Sequence, residues 1–374
     1  MAPRRDRRPE SLALDPDVLR EGPVCEFQSD VAVAQRGGTS VQPWRDRFRA
    51  AQAEGLHVVD DARALREASY PQVLVHLQKS RAATADDLAQ AWRVCEPGGQ
   101  LLLAGPNRLG ITSAVKKLAS QLEQEGIVVA NRARSRIVRF RRGEGPGPRT
   151  EATPEVQVAL CDAEGRSLDF VLETAPGVFS AKKLDAGSAL LLEALPGLAG
   201  GRAPRQIVDL GCGTGVLGIA AARLWPEARV LLVEADARAV RCARANIARL
   251  GLEERCRVEW WDAREAPLES RLDLALSNPP FHHRGPEVDL GPALALFDSL
   301  RVWLRPSGRA LVVANRTLPY EEPLARLGPV ETLAAARGYK LLSLKRSARS
   351  SGSRGRSSPG PRSSGRSRSP IRSR

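Results

Sequence analysis

Five short apolar runs in the second half of the chain alternate with longer amphipathic stretches. The runs are Gln206 to Leu210, Arg229 to Glu234, Arg257 to Trp261, Leu272 to Ser277 and Ala310 to Ala314. Helical periodicity occupies intervals between them, at 216–224, 236–250 and 291–304. Continuous apolar runs of this length are typical of parallel strands buried on both faces, and their alternation with helices predicts a doubly wound α/β sheet.

A stretch rich in glycine and proline, GEGPGPRTEATPE at 143–155, separates this half of the chain from the first half. Such a composition is typical of a linker. Directly after it, Val156 to Leu160 and Ser167 to Leu172 flank the sequence Asp-Ala-Glu-Gly and predict a β-hairpin. We therefore expect two domains, at 23–145 and 151–346.

The two halves share one pattern of strand, helix and strand. PQVLVHLQKS at 71–80, a helix ending near Val94 and LLLAG parallel DLALSNPP, a helix ending near Leu304 and ALVVAN. Each half then ends in a basic strand, SRIVRFRR or YKLLSLKR. We infer a duplicated domain. The first copy lacks the glycine-rich turn and the Asn-Pro-Pro-Phe sequence of the second, so it is expected to be degenerate and to keep the fold without the chemistry.

The two ends of the chain differ in composition from the rest of it. Of 374 residues, 42% are hydrophobic and 27% charged, and no apolar run approaches the length of about 18 residues that a membrane span needs. Residues 1–22 lack the apolar segment of a secretory signal and are predicted to be flexible, so a cytoplasmic protein is expected. Residues 345–374 carry +10 of the net charge of +14, and 347–374, rich in Ser and Arg, is a predicted disordered tail.

Six cysteines are scattered along the chain without a Cys-x-x-Cys pair and without a histidine at metal-ligand spacing. This pattern favours buried, reduced thiols. No metal site is expected.

A glycine-rich turn follows the first of the five apolar runs and directly precedes a predicted helix. It comprises Asp209, Gly211, Cys212, Gly213 and Gly215. Glycines let the backbone turn sharply and approach a ligand closely, and ligands of open α/β sheets bind at the carboxyl ends of the strands. The sequence therefore predicts a ligand site at this turn, with a simple tight turn as the alternative.

Two acidic residues end the next two strands. Glu234 lies about twenty residues beyond the turn, where a carboxylate can accept hydrogen bonds from ribose hydroxyls. Asp262 closes the third strand and is placed to accept from an adenine amino group, or else to cap a helix. Gly213, Gly215 and Gly218 also fit the G-x-G-x-x-G spacing, which leaves a dinucleotide site as an alternative.

Asn278, Pro279, Pro280 and Phe281 follow the fourth run. Two consecutive prolines remove two backbone donors and stiffen the loop, which fixes the Asn278 amide oxygen and the Pro279 carbonyl. Both groups accept hydrogen bonds, so they can hold an exocyclic amine while its lone pair faces an electrophilic methyl group. Phe281 offers a stacking face for a base taken out of its surroundings. A rigid turn is the alternative.

These residues resemble the class I N-methyltransferases, which use S-adenosylmethionine (AdoMet) and carry an Asn-Pro-Pro-aromatic loop. The segments PGVFS at 176–180, LDAGS at 184–188 and VANRTLPY at 313–320 are similar to those of ribosomal RNA guanine-N2 methyltransferases of the 16S C-type and the 23S G-type. The resemblance implies two tandem Rossmann-like domains and methylation of a guanine N2 in ribosomal RNA, in 16S rather than 23S RNA. It also implies ribosomal RNA or a ribosomal subunit as partner, and a monomer is expected.

The resemblance also assigns site residues. It implies AdoMet contacts from the glycine turn, Glu234 and Asp262, and places Asp185 and Ser188 near the cofactor, although either could cap a helix. Asn278, Pro279, Pro280 and Phe281 are the implied catalytic residues. N6-adenine methylation, protein-glutamine methylation and a non-catalytic role in ribosome assembly remain alternatives.

Six arginines end the first half of the chain: Arg132, Arg134, Arg136, Arg139, Arg141 and Arg142. Alternation along a strand would place several on one face, which could bind RNA phosphates without reading sequence. An edge strand protected by charge is the alternative. The basic tail could add RNA affinity through the same electrostatics.

Overall fold

The computed structural model describes residues 8–150, 152–153, 155–200, 202–280, 282–284 and 287–347. The first half is a seven-stranded sheet with helices. Its elements are α1 (Arg8–Ala13), β1 (Val24–Phe27), α2 (Val31–Arg36), β2 (Gly38–Val41), α3 (Arg45–Ala53), β3 (Val58–Val59), β4 (Tyr70–His76), α4 (Arg81–Val94), β5 (Cys95–Pro106), α5 (Ile111–Leu122), β6 (Ile127–Arg132) and β7 (Ser135–Arg141). The strand order is β3-β2-β1-β4-β5-β7-β6, in which β1 to β5 are parallel and β7 is antiparallel to both of its neighbours.

A hairpin connects the two halves. Its strands are β8 (Val156–Val158) and β9 (Phe170–Leu172), and a bridge between Cys161 and Ser167 extends their antiparallel pairing. The predicted hairpin is therefore present with shorter strands. Its apolar side chains, including Val158 and Phe170, pack into the core of the second half.

The second half repeats the first sheet strand for strand. Its elements are α6 (Ala186–Ala194), β10 (Gln206–Leu210), α7 (Val216–Leu224), β11 (Arg229–Glu234), α8 (Ala237–Arg249), β12 (Cys256–Trp260), β13 (Leu272–Ser277), β14 (His282–Arg284), β15 (Glu287–Asp289), α9 (Gly291–Trp303), β16 (Leu304–Asn315), α10 (Glu321–Ala325), β17 (Val330–Ala336) and β18 (Tyr339–Lys345). The order is β12-β11-β10-β13-β16-β18-β17, while β14 and β15 form a separate small hairpin. The predicted pair of doubly wound, mostly parallel sheets is confirmed.

Apolar layers cover both faces of the second sheet. Leu191 of α6 and Ile219 of α7 belong to the layer on one face, and Phe297 and Trp303 of α9 to the layer on the other. Strands such as β11 read as continuous apolar runs because both faces are buried. Two predicted strands shift. Strand β12 begins and ends one residue earlier. Strand β16 ends one residue later and reaches back to Leu304, because the chain passes directly from α9 into the strand.

The prediction of a flexible N-terminus is wrong for residues 8–22. In this segment α1 packs against the first sheet, and Leu12, Val18 and Leu19 are buried in one cluster with Leu102 and Ile137. The apolar positions of SLALDPDVL supply that packing face, which outweighs the surrounding charge. Residues 1–7 and 348–374 lie outside the described residues, so flexibility there and a disordered tail stay predictions, as do the bounds of the two domains.

The edge-strand alternative for the basic segment is wrong for the arginines of β7 and correct for Arg132, which ends β6. Strand β7 lies between β5 and β6, and β6 is the edge. Ile137, Val138 and Phe140 of β7 are buried, which leaves its arginines more exposed between them. Arg142 lies over the ring of Trp92 at 5.2 Å and donates to the Trp92 carbonyl oxygen, so it has a structural role.

No helix among the described residues is long and apolar enough to cross a membrane.

Leu19→Ala tests the packing of the N-terminal segment. Truncating a buried leucine removes apolar contacts and leaves a cavity, so we expect the free energy of unfolding to fall by about 2–5 kcal/mol. Chemical denaturation followed by circular dichroism measures it. Leu333→Ala, at a half-exposed position of β17, is the control. Equal, small effects of the two variants would show that residues 8–22 do not pack as described.

Candidate active site

The glycine-rich turn joins β10 to α7 and exposes its backbone to a cavity. Gly211, Gly213 and Gly215 have φ angles of 73°, 56° and 92°, a region that L-residues with side chains rarely adopt. A Cβ atom built on Gly213 would meet no heavy atom within 4 Å, and one on Gly211 would meet only Pro280, at 4.0 Å. The turn therefore leaves open space where a ligand can approach the backbone.

Glu234 at the end of β11 holds this turn in place. Its carboxylate accepts hydrogen bonds from the backbone N–H groups of Gly213 at 2.9 Å, Ala235 at 2.7 Å and Asp236 at 3.0 Å. Burial raises the pKa of Glu234, while the hydrogen bonds from Asp236 and Gly213 lower it. The same side chain also lines the cavity, so it can both fix the turn and face a ligand.

Asp209 and Gly215 lie behind the turn rather than in the cavity wall. Asp209 is fully buried, and its Oδ2 accepts from the Gly218 N–H at 2.8 Å, which ties the end of β10 to the first turn of α7. A Cβ atom on Gly215 would lie 3.2 Å from Ile219 and 3.3 Å from Leu232. These two residues shape the turn that the ligand meets.

The cavity has a volume of about 480 Å³ and collects most of the predicted residues. Its wall includes Gly211, Gly213, Glu234, Asp262, Asn278, Pro279 and Pro280. Cys212, Asp185 and Ser188 line a smaller adjoining cavity of about 50 Å³, which shares Gly211, Gly213 and Asn278 with the first. The strand ends therefore bring the glycine turn, both acids and the Asn-Pro-Pro loop together. Phe281 lies outside the described residues.

Asn278 is held by two acceptors. Its Nδ2 donates to Asp185 Oδ2 at 2.8 Å and to Ser188 Oγ at 2.9 Å. The same Asp185 oxygen caps α6 by accepting from the N–H groups of Gly187 and Ser188. The helix-cap and near-site interpretations of Asp185 are therefore compatible. Because the Asn278 amide nitrogen is engaged, its oxygen is left as an acceptor, and among the described residues it has no hydrogen-bond donor.

Asp262, two residues after the end of β12, is paired with Arg264. Its Oδ1 accepts from Arg264 Nε at 2.7 Å, and its Oδ2 accepts from Arg264 Nη2 at 3.0 Å. Burial raises the pKa of this carboxyl, but the Arg264 hydrogen bonds outweigh that effect and the pKa falls to about 2. Asp262 is therefore a charged acceptor in the cavity wall.

Sequence reasoning missed three aromatic residues of the cavity, one of which, Trp261, directly follows β12. Phe179, in the PGVFS segment, lines both cavities and is 66% exposed. Trp44 comes from the first half of the chain, just before α3, and no motif marks it. Among the described residues no group of three His, Cys, Asp or Glu side chains could hold a metal ion, and all six cysteines are free.

The paired sheets, the glycine turn and the Asn-Pro-Pro loop together define a methyltransferase of the Rossmann-like class. The Methyltransferase small domain family matches residues 152–343. The ribosomal RNA small subunit methyltransferase C of Pseudomonas aeruginosa (strain LESB58) is 35% identical over 333 residues, which cover 88% of this chain and 92% of that protein. Its counterpart in Ectopseudomonas mendocina is 36% identical over 284 residues, 75% of this chain and 81% of that protein. The chain belongs to the ribosomal RNA small subunit methyltransferase C family.

A solved structure of similar fold is the T. thermophilus 16S rRNA N2 G1207 methyltransferase in complex with AdoMet and guanosine. It is 27% identical in sequence and superposes with a TM-score of 0.78. The match covers 91% of this chain and 92% of that chain, so it includes both sheets.

Asp209→Asn tests the buried carboxyl behind the turn. Burial raises the pKa of Asp209 to about 7. Since the folded state keeps this proton longer than an unfolded aspartate does, its contribution to stability is complete below about pH 4 and is lost as the pH rises through about 7. The asparagine variant has no proton to lose, and its side-chain oxygen can still accept from the Gly218 N–H.

The free energy of unfolding of the wild type, relative to that of Asp209→Asn, is therefore expected to fall as the pH is raised from about 4 to about 8. Denaturant titrations at a series of pH values measure this difference. Asp298→Asn, at an exposed position on α9, is the control. Parallel pH profiles for the wild type and Asp209→Asn would contradict the assignment.

Proposed function

We propose that this chain methylates the exocyclic N2 amine of a guanine in 16S ribosomal RNA, using AdoMet. The observation that carries the proposal is the orientation of Asn278. Its amide oxygen is available as an acceptor beside Pro279, in a cavity that the glycine turn and the acids Glu234 and Asp262 also line. The family membership and the N2 guanine activity named for the T. thermophilus relative support the same chemistry.

The cavity residues fit AdoMet. The exposed backbone at Gly211 and Gly213 suits close approach by the cofactor, and Glu234 offers carboxylate oxygens for ribose hydroxyls. Asp262 offers a charged acceptor for the adenine amino group. A volume of about 480 Å³ lies within the range of about 300–1,000 Å³ that is typical of small-molecule sites. We assign Asp209 and Gly215 to shaping the turn.

The acceptor amine is held by two oxygens. The Asn278 side-chain oxygen and the Pro279 carbonyl accept its two N–H bonds, which turns its lone pair toward the cofactor. Bound AdoMet supplies the electrophilic methyl group, which the amine takes up with release of S-adenosylhomocysteine and a proton. Pre-positioning accounts for much of the acceleration, since holding two reactants at attack distance replaces a bimolecular encounter. Phe281 is assigned to stacking on the guanine.

Asp185 and Ser188 act through Asn278. They fix its amide so that the oxygen, not the nitrogen, faces the acceptor amine. Because Asp185 also caps α6, the orientation of Asn278 is tied to a rigid element. We assign both as positioning residues next to the cofactor.

Ribosomal RNA or the small ribosomal subunit is the proposed partner, and we assign the first half of the chain to RNA binding. Exposed arginines there, among them Arg134 and Arg141, can contact phosphates without reading sequence. An internally duplicated fold presents two sheets within one chain, which supports a monomer. Because its proposed substrate is ribosomal RNA, we assign the enzyme to the cytoplasm.

Methyl transfer from labelled AdoMet to unmodified 16S and 23S ribosomal RNA, free and assembled, tests the reaction. Nucleoside mass spectrometry should find N2-methylguanosine in 16S RNA. N6-methyladenosine would preserve the role of Asn278 and refute the guanine assignment. AdoMet binding without RNA methylation would favour a protein acceptor or an assembly role.

Asn278→Ala tests the orientation of the amine. Removing one of two positioned acceptors should lower kcat by about 10²–10³-fold, the usual effect of deleting such a group. AdoMet affinity, measured by calorimetry, should stay within about twofold because the residue acts on the acceptor. Gln157→Ala, exposed on β8, is the control. A large loss of AdoMet affinity in Asn278→Ala would contradict the assignment.

A further inference from the structure

The segment before α3 of the first half lies directly against the end of β11. The Arg45 N–H donates to the Ala235 carbonyl oxygen at 2.9 Å, and the Ala237 N–H donates to the Pro43 carbonyl oxygen at 2.8 Å. These bonds flank Trp44, whose side chain lines the large cavity together with Glu234. One wall of the proposed cofactor site therefore comes from the other domain.

A chain of charged groups runs from α3 to the acid proposed to contact adenine. Asp46 Oδ2 lies 2.8 Å from Arg264 Nη2, and Arg264 holds both oxygens of Asp262. Arg264 is about half exposed, so its position depends on the two carboxylates that it joins. Asp262 Oδ1 also accepts from the backbone N–H of Arg264 at 3.0 Å, so three hydrogen bonds from one residue fix the orientation of the carboxylate in the cavity wall.

A second set of contacts holds the same loop against α3. Arg45 donates to both carboxylate oxygens of Glu265, at 2.9 and 3.1 Å, and Arg49 donates to one of them at 2.6 Å. Glu265 Oε1 accepts from the Asp262 N–H at 3.2 Å. The Phe48 ring meets the Trp260 ring edge-on at 4.8 Å. The loop that carries Asp262 is thus bound to the first domain from both of its ends.

We propose that the degenerate first domain completes the AdoMet site. Trp44 contacts the nucleoside end of the cofactor, and Asp46 acts through Arg264 to position Asp262 for the adenine amino group. Asp46 is therefore a positioning residue for cofactor specificity, although it lies outside the methyltransferase small domain. The inference rests on the proposed use of AdoMet and deepens it.

Recognition of the adenine 6-amino group shows whether Asp46 positions Asp262 or only stabilises the fold. S-Adenosylhomocysteine carries that amine as a donor, and S-inosylhomocysteine has a carbonyl oxygen in its place, which a charged carboxylate cannot hold by accepting a hydrogen bond. The ratio of the two affinities therefore reports on Asp262. A merely structural role of Asp46 would weaken both ligands equally.

Calorimetry on the full chain with both ligands tests the proposal. For Asp46→Asn we expect affinity for S-adenosylhomocysteine to fall about tenfold, the effect of one weakened hydrogen bond, with a smaller loss for S-inosylhomocysteine. Asp46→Glu keeps the carboxylate and should retain most of the discrimination. Trp44→Ala should weaken both ligands alike, because it removes contact area rather than recognition of the amine. Glu54→Gln, at the exposed C-terminal end of α3, makes the same chemical change away from the cavity and should bind as the wild type does.

An unchanged affinity ratio in Asp46→Asn, whether both affinities fall or neither does, would overturn the role of Asp46. Unchanged binding by Trp44→Ala would overturn the contact from the first domain. Failure of the wild type to bind S-adenosylhomocysteine would instead refute the proposed function, so the two failures are distinguishable. Thermal melting of each variant without ligand shows whether it is folded, and the comparison with Asp46→Glu still decides the outcome if Asp46→Asn is unstable.

Discussion

The buried pair of Asp236 and Arg238 is the constraint on which the arrangement of the two domains depends. Arg238 donates from Nε and Nη2 to the Asp236 carboxylate and from Nη1 to Gln78 of the first domain at 3.3 Å. Both charged side chains are about 90% buried. Removing one partner from such a pair leaves an uncompensated buried charge, which costs about 3–5 kcal/mol. Asp236 also lines the cavity proposed to bind the cofactor, so the same side chain holds Arg238 at the domain contact and forms part of the cavity wall.

The place that receives Arg238 is the counterpart, in the first domain, of the cofactor site in the second. Gln28 follows β1 with a φ of 70°, as Gly211 follows β10, and the N–H groups of both donate to a carbonyl of the neighbouring strand at 2.9 Å. What remains of that site is a cavity of about 20 Å³, with Arg238 and Arg241 in its wall, and such a space cannot hold a nucleoside. In the first domain, the position that corresponds to the proposed ligand site is therefore occupied by side chains of α8 from the second domain.

The sequence predicted the features that depend on a local pattern of residues, namely the strands and the glycine-rich turn. Strand periodicity indicated the two sheets, and the turn at Gly211 and Gly213 could be located because a positive φ favours glycine. It could not show that Asp185 caps α6 and orients Asn278 at once, since Asp185 and Asn278 are 93 residues apart and meet only when α6 packs against the second sheet. Trp44 and Asp46 carry no motif at all. Their role follows from the docking of two domains, which no window of sequence contains.

The contacts between the domains contribute differently to the stability of docking and to the orientation of the loop that carries Asp262. Exposed ion pairs such as Arg49 with Glu265 are worth about 0.2–1 kcal/mol, because water screens the charges and long side chains lose freedom. They add little to docking. Arg238, which Asp236 of its own domain holds in place, is buried where the two domains meet and donates to Gln78 of the first domain. The bidentate contacts of Arg45 and Arg264 fix the direction of the loop that carries Asp262. The geometry of the proposed cofactor site therefore depends on weak orienting contacts that act together with the burial of Arg238.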